Sequence, residues 1–155
     1  MNSQEIAAVL TEQFGDGILE TELEGVNPYS VVAAPSILDI CRFIRSDERL
    51  EMDHLELLGG VDYPDFIEVV YVLYSMKHHH RYTLKCRLPR EESHLHSVES
   101  IWNVANWHER ETFDMFGVFF DGHSDMRRIL CPDDWEGYPL RKDYKAPESY
   151  RDMPV

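Results

Sequence analysis

The sequence predicts an α+β domain: two or three helices packed on a mixed, mostly antiparallel sheet, followed by an extended irregular C-terminal tail. Three observations predict it. Residues 36–50, SILDICRFIRSDERL, place Ile37, Ile40, Cys41 and Ile44 on one helical stripe. In RYTLKCRL, residues 81–88, Tyr82, Leu84, Cys86 and Leu88 alternate with Arg81, Thr83, Lys85 and Arg87, the period of a strand with one wet face. A hydrophobic content of 43% with 12% aromatics, in 155 residues, fits one packed domain and not a disordered chain.

In order along the chain, residues 3–14 read as a short helix, with Ser3 as its cap and Ile6, Val9, Leu10 and Phe14 at helical spacing. ILETELEG and YSVVAAP read as strands joined by the turn-rich GVNP. The helix over 36–50 follows, with Ser36 placed to cap it. Three strands come next, HLELLGGVDY, DFIEVVYVLYSM and RYTLKCRLP, the last two flanking a KHHHR hairpin loop. A second long helix begins near Ser97 and runs to Phe116, where Gly117 ends it. VFF then reads as a strand entering a tight turn at Asp121-Gly122. From Asp125 onward no period of either kind is sustained, and prolines and aromatics crowd the segment. The expected division is a core domain over 1–120 and a tail over 121–155. So long an unpatterned stretch is expected to lie along a surface, much of it belonging to something else.

The net charge of −14 argues against nucleic acid or an anionic membrane surface as partner. The charge is uneven: residues 1–60 hold twelve acidic and three basic side chains, residues 121–155 eight and six. Three well-separated cysteines, Cys41, Cys86 and Cys131, form no CxxC pair, so reduced thiols in a cytosolic protein are expected. MNSQEIAAVL lacks the basic and long apolar regions of a signal peptide. The longest apolar runs, such as VVYVLY, fall far short of the ~20 residues that span a bilayer, so membrane association is expected only through a partner.

Several chemistries fail on spacing. There is no GxGxxG and no GxxxxGK[ST]; FGDG at 14–17 is a turn-like fragment. His108-Glu109 opens an HExxH pattern, but the second histidine is replaced by Thr112. His78, His79 and His80 fall in the hairpin loop. His94 and His96 share a strand face, but without supporting carboxylates or thiols. Glu109 and Glu111 are two residues apart on a helix, roughly 200° around its axis, so they cannot converge as acid and base. On that helix Ile101, Val104, Ala105 and His108 make one stripe, expected to be core. Asn103, Asn106, Trp107, Arg110 and Asp114 make another. An arginine between two carboxylates and beside a tryptophan fits a buried charge network or an interface, and so do Arg127, Arg128, Arg141 and Lys142. A solvated surface fits these charges equally.

The block Glu109-Arg-Glu-Thr-Phe-Asp114-Met-Phe, six residues to His123, and three more to Arg127-Arg-Ile-Leu130 resembles the signature of the respiratory complex I C subunit, the 30 kDa subunit of NADH:quinone oxidoreductase. SIWNVANWHERE before it and PDDWEGYPLRKDY after it look like the same family, so the resemblance covers about 97–145 strongly. It implies a bacterial-type subunit of the peripheral arm, unfused to the D subunit because the chain ends at Val155, on the cytoplasmic side of the inner membrane. It also implies a chain without cofactor, FMN and the iron–sulfur clusters being in partner subunits. The partners implied are chiefly the D subunit, and also B and I, with the tail running along its neighbours. In this reading Trp107, Glu109, Arg110, Glu111, Asp114, His123, Arg127, Arg128, Arg141, Lys142 and Asp143 are interface or structural positions, and the isolated chain is inactive. Two alternatives stay open. One is the equivalent subunit of a chloroplast-type NADH-like dehydrogenase or of a membrane-bound hydrogenase. The other is a free-standing soluble enzyme using Glu109, Arg110 and His123.

Overall fold

The computed structural model describes residues 1–151, 153 and 154; Val155, at which the sequence reading ends an unfused chain, lies outside them. Helix α1 (Ser3–Phe14) leads to β1 (Ile18–Glu22) and β2 (Tyr29–Val32). Helix α2 (Ile37–Ser46) is followed by β3 (His54–Asp62), β4 (Phe66–Ser75) and β5 (His80–Pro89). Short β6 (His94–His96), α3 (Ala105–Phe116) and β7 (Phe119–Asp121) come next, and a small β8 (Ser149–Tyr150) and β9 (Met153–Pro154) pair lies in the tail.

The main sheet has the order β1-β2-β5-β4-β3, with β2 and β5 parallel and the other neighbours antiparallel. This is the α+β arrangement expected. One face is largely apolar. Ile67, Val69, Tyr71 and Leu73 of β4 and Tyr82, Leu84, Cys86 and Leu88 of β5 meet Ile37, Ile40, Cys41 and Ile44 of α2 in a single core. Each such aliphatic or aromatic side chain contributes ~1.5–3 kcal/mol on burial. The other face carries paired charges: Lys85 and Arg87 both reach Glu68, and Arg87 also reaches Glu20.

Four details differ from the sequence reading, each for a local reason. The first helix is capped by Asn2, not Ser3, through a reciprocal pair in which the Glu5 N–H donates to Asn2 and the Asn2 N–H donates to Glu5. The Ser36 side chain caps nothing, because a 3₁₀ turn over Ala34–Ser36 leads straight into α2. That helix stops at Ser46, where Asp47 accepts both the Arg49 N–H and its guanidinium and turns Leu50 back into the core. The third helix starts at Ala105, not Ser97. Residues 97–104 form turns held by Glu109, and Trp102 is buried there with its indole N–H donating to the Met52 carbonyl at 3.1 Å.

Candidate functional site

Helix α3 is the platform on which the signature residues are set, and its buried face is unusually polar. Glu109, Arg110, Thr112 and Asp114 are buried beside Ala105 and Met115. Of the stripe expected to be core, only Ala105 is buried; Val104 is 41% exposed and Ile101 and His108 lie part-way. Hydrophobic periodicity gave the wrong phase because the charged residues of this helix have partners waiting for them.

Asp114 is the anchor. Its carboxylate is fully buried and accepts the backbone N–H groups of Ile129 (3.0 Å), Leu130 (2.6 Å) and Cys131 (3.0 Å) on Oδ2. Arg128 Nη1 donates to Oδ1 at 2.7 Å. Burial opposes charge on this group, but the three N–H donors and the guanidinium outweigh it and hold the carboxyl below its usual range. Arg128 also donates to the carbonyls of Asp114, Trp135 and Gly137, so one side chain ties the helix to two later points of the tail.

The helix ends at Gly117, in the left-handed region at φ +72°. A Cβ there would clash with the Tyr138 ring, so glycine is required for both conformation and space. Two guanidinium groups, Arg128 and Arg141, stand over the Tyr138 ring at 5.4 and 4.9 Å from its centroid. Arg141 donates to the Phe116 carbonyl at 2.7 Å, and the Leu140 N–H to the Met115 carbonyl at 3.1 Å. Further on, the Lys142 N–H donates to buried Asp62 at 2.7 Å, and Arg90 bridges Asp62 and Asp143. Residues 125–143 are thus fastened to α3 and to the end of β3. Arg141, Lys142 and Asp143 act here through a guanidinium, a backbone N–H and a carboxylate respectively.

A second cluster lies under the first half of α3. Glu109 accepts the Ser97 hydroxyl at 2.6 Å and the Val98 N–H at 2.7 Å. Burial pushes its carboxyl up to about 7, against the pull of those two donors. The His123 side chain is fully enclosed, with Nε2 3.9 Å from Glu109 and Nδ1 3.9 Å from Glu99. Because Nδ1 accepts the Asp125 N–H, Nε2 carries the proton and donates it to the Asn106 carbonyl at 3.1 Å. Glu99 accepts the Ser124 hydroxyl, the Ser124 N–H and the Asn106 amide, which lower its carboxyl to about 2.

Arg110 is buried, but not between Glu109 and Glu111. Glu109 turns inward to Ser97, and Glu111 is exposed on the opposite side of the helix. The guanidinium instead donates to the Arg127 carbonyl at 3.2 Å, stands 4.0 Å from Asp125, and lies 5.0 Å from the Trp107 ring centroid. Trp107 is 62% exposed, as is Leu130, and Arg127 projects into solvent, paired with Asp125. The geometry therefore brings Glu109 and His123 together, Asp114 and Arg128 together, and Arg110 and Arg127 together. Glu109, Arg110 and His123 converge on no common accessible point. Sequence reasoning missed Ser97, Glu99, Asn106, Asp62, Arg90, Gly117 and Tyr138 as parts of the site. Asp62 and Arg90 meet the tail from up to 80 residues away, and no local pattern signals that.

Comparison with known proteins gives a consistent result. Residues 30–150 match the family described as the 30 kDa subunit of the respiratory-chain NADH dehydrogenase. The C subunit of NADH-quinone oxidoreductase from Chloroherpeton thalassium is 45% identical over 150 residues, which is 95% of this chain and 62% of that one. The protein of the same name from Chlorobium phaeobacteroides is 42% identical over 151 residues, covering 95% of this chain and 91% of its own. This chain thus spans about three fifths of the one relative and nine tenths of the other. Among solved structures, a chain of the membrane-bound sulfane sulfur reductase, an archaeal respiratory membrane complex, superposes with a TM-score of 0.72 at 27% identity. It covers 92% of this chain and 85% of that one. The trypsin-resistant fragment of Nqo5 superposes with a TM-score of 0.65 at 26% identity, over 77% of this chain and 98% of the fragment.

Proposed function

The chain belongs to the family of the 30 kDa subunit of the respiratory-chain NADH dehydrogenase, and from that premise we propose that it works as the C subunit of a bacterial proton-translocating NADH:quinone oxidoreductase. In this reading it stands in the peripheral arm on the cytoplasmic side of the inner membrane, chiefly against the D subunit and also against B and I. It supports assembly of the quinone-reducing module and has no turnover of its own. The observation that carries the reading is how the signature block is used. Asp114, Arg128 and Arg141 hold the tail on α3, while Trp107, Leu130 and Leu140 remain outside at 62, 62 and 54% exposure. Apolar anchors on a well-braced platform suit a partner surface.

FMN and the iron–sulfur clusters belong to partner subunits in this proposal. An ordinary cluster is held by four thiolates. The sequence has three cysteines, of which Cys41 and Cys86 are buried and Cys131 lies in the tail. Among the described residues no helix is long and apolar enough to cross a membrane; in this proposal attachment runs through partners. The likeness to a chain of the sulfane sulfur reductase favours a second reading, an equivalent place in a related membrane complex. The two bacterial C-subunit relatives, at 42–45% identity, weigh toward the first. Quinone-dependent NADH oxidation tests both. Membranes lacking this chain should lose it and regain it on complementation, and the isolated chain should show none. Turnover by the isolated chain comparable to that of the complex would overturn the proposal, and unchanged NADH oxidation without the chain would favour the second reading.

A further inference from the structure

The two edges of the main sheet are built differently. At one edge β1 is five residues long and carries Glu20 and Glu22. Charges on a short edge strand discourage pairing with another chain. At the other edge β3 is nine residues long, and its stretch LLGGV, residues 57–61, carries no charged side chain. Leu57 and Val61 are 46 and 40% exposed. An edge strand turns alternate N–H and C=O groups away from its sheet. Among the described residues no backbone group outside the sheet hydrogen-bonds to residues 57–60.

Beside this edge runs a groove of about 370 Å³, whose other wall is α3. Residues 57, 58, 59 and 60 all line it. Gly59 and Gly60 have no side chain, so the strand backbone itself forms part of that wall. Gly59 leaves the backbone bare, since a Cβ there would meet nothing nearer than Leu57 at 3.9 Å. At Gly60 the space is already filled by the Phe116 ring, 2.6 Å from where a Cβ would stand, which closes one end. Met115 and Leu140 make the groove apolar, and exposed Glu111 stands on the helix wall with no ion pair among the described residues.

We propose that an extended segment of a neighbouring subunit adds to β3 as a further strand, its apolar side chains resting on Leu57 and Leu140 and a lysine or arginine facing Glu111. Backbone hydrogen bonds to an open edge, with alternate side chains seated in a groove, are a recurrent way of holding a peptide. The proposal rests on the reading of this chain as a subunit and adds the place and form of one contact. The unpaired carboxylate sets the sign of the partner's charge, and the uncharged LLGGV edge sets its extended form.

Amide hydrogen exchange in the purified complex and in the isolated chain tests it, together with Leu57→Lys and, on the opposite edge, Leu19→Lys. Both leucines are exposed, at 46 and 64%, so both variants should fold with wild-type thermal stability. The expected result is at least tenfold slower exchange at residues 57–60 in the complex, and a severalfold loss of assembled complex for Leu57→Lys alone. Unchanged exchange at 57–60, while α3 and the tail gain protection, would overturn strand addition and leave the subunit reading standing. Loss of assembly for Leu57→Lys without that protection would mean a helix or loop in the groove, which also overturns it. A complex from which the chain is absent would sink both.

Discussion

Replacing Asp114 by asparagine tests how the tail is held. In the wild-type chain three backbone N–H groups converge on Oδ2 and Arg128 donates to Oδ1. Asparagine can keep its carbonyl toward the three N–H groups, but its amide then faces the guanidinium, donor against donor. Breaking a buried ion pair by removing one partner costs ~3–5 kcal/mol. Arg128 keeps three carbonyl acceptors and its side chain is 12% exposed, which places the loss near the lower end. A loss of ~3 kcal/mol is a large share of the ~5–15 kcal/mol that holds an ordinary domain folded. For a chain of this size it corresponds to a fall of roughly 6–12 °C in Tm.

The assay is urea unfolding of the isolated chain, with limited proteolysis of residues 128–145 as a local readout. Acid supplies a second check. Asp114 has a depressed folded-state pKa, so its contribution is present above the unfolded value, about 3.9, and is lost as pH falls through the folded one. The difference between wild type and Asp114→Asn should therefore be full at pH 7 and shrink toward pH 3. A loss below about 1 kcal/mol at pH 7, with unchanged cleavage of the tail, would refute the anchoring role.

Gly117→Ala should cost ~1–3 kcal/mol from its positive φ alone, and more because the new methyl meets the Tyr138 ring; thermal melts should show Tyr138→Ala recovering only the steric part. Glu109 has a raised folded-state pKa of about 7, so the folded chain binds more protons than the unfolded one between about 4.3 and 7. Stability is fully expressed below that window and falls across it by roughly 4 kcal/mol as pH rises. Glu109→Gln keeps the contacts to Ser97 and Val98 without the proton, so its melts should lack that decline between pH 5 and 8; an equal decline in both proteins would count against a protonated Glu109.

The fold was legible in the sequence where its signals were local. The alternation in RYTLKCRL and the stripe in SILDICRFIRS specified β5 and α2, because burial on one face is written at a period of two or of 3.6. Helix α3 was legible in existence but not in phase or start. Its inward face holds Glu109, Arg110 and Asp114, whose partners at Ser97, Arg127 and Ile129–Cys131 are not visible to a hydrophobicity count. The same holds for the tail. Its lack of period was correctly read, but its attachment through Tyr138 on Gly117 and Lys142 on Asp62 depends on contacts that no window of sequence contains.

The proposal stands on an assembly subunit whose exposed α3 face meets a partner and performs no chemistry. Trp107→Ala addresses it most directly. The side chain is 62% exposed and its main contact here is the Arg110 guanidinium, so the isolated chain should lose no more than ~1 kcal/mol. In cells relying on the variant, the expected result is a clear fall in the amount of assembled complex, with NADH:quinone turnover per assembled complex unchanged. Full assembly with turnover lost would contradict it, because the face would then serve the reaction and not the partner.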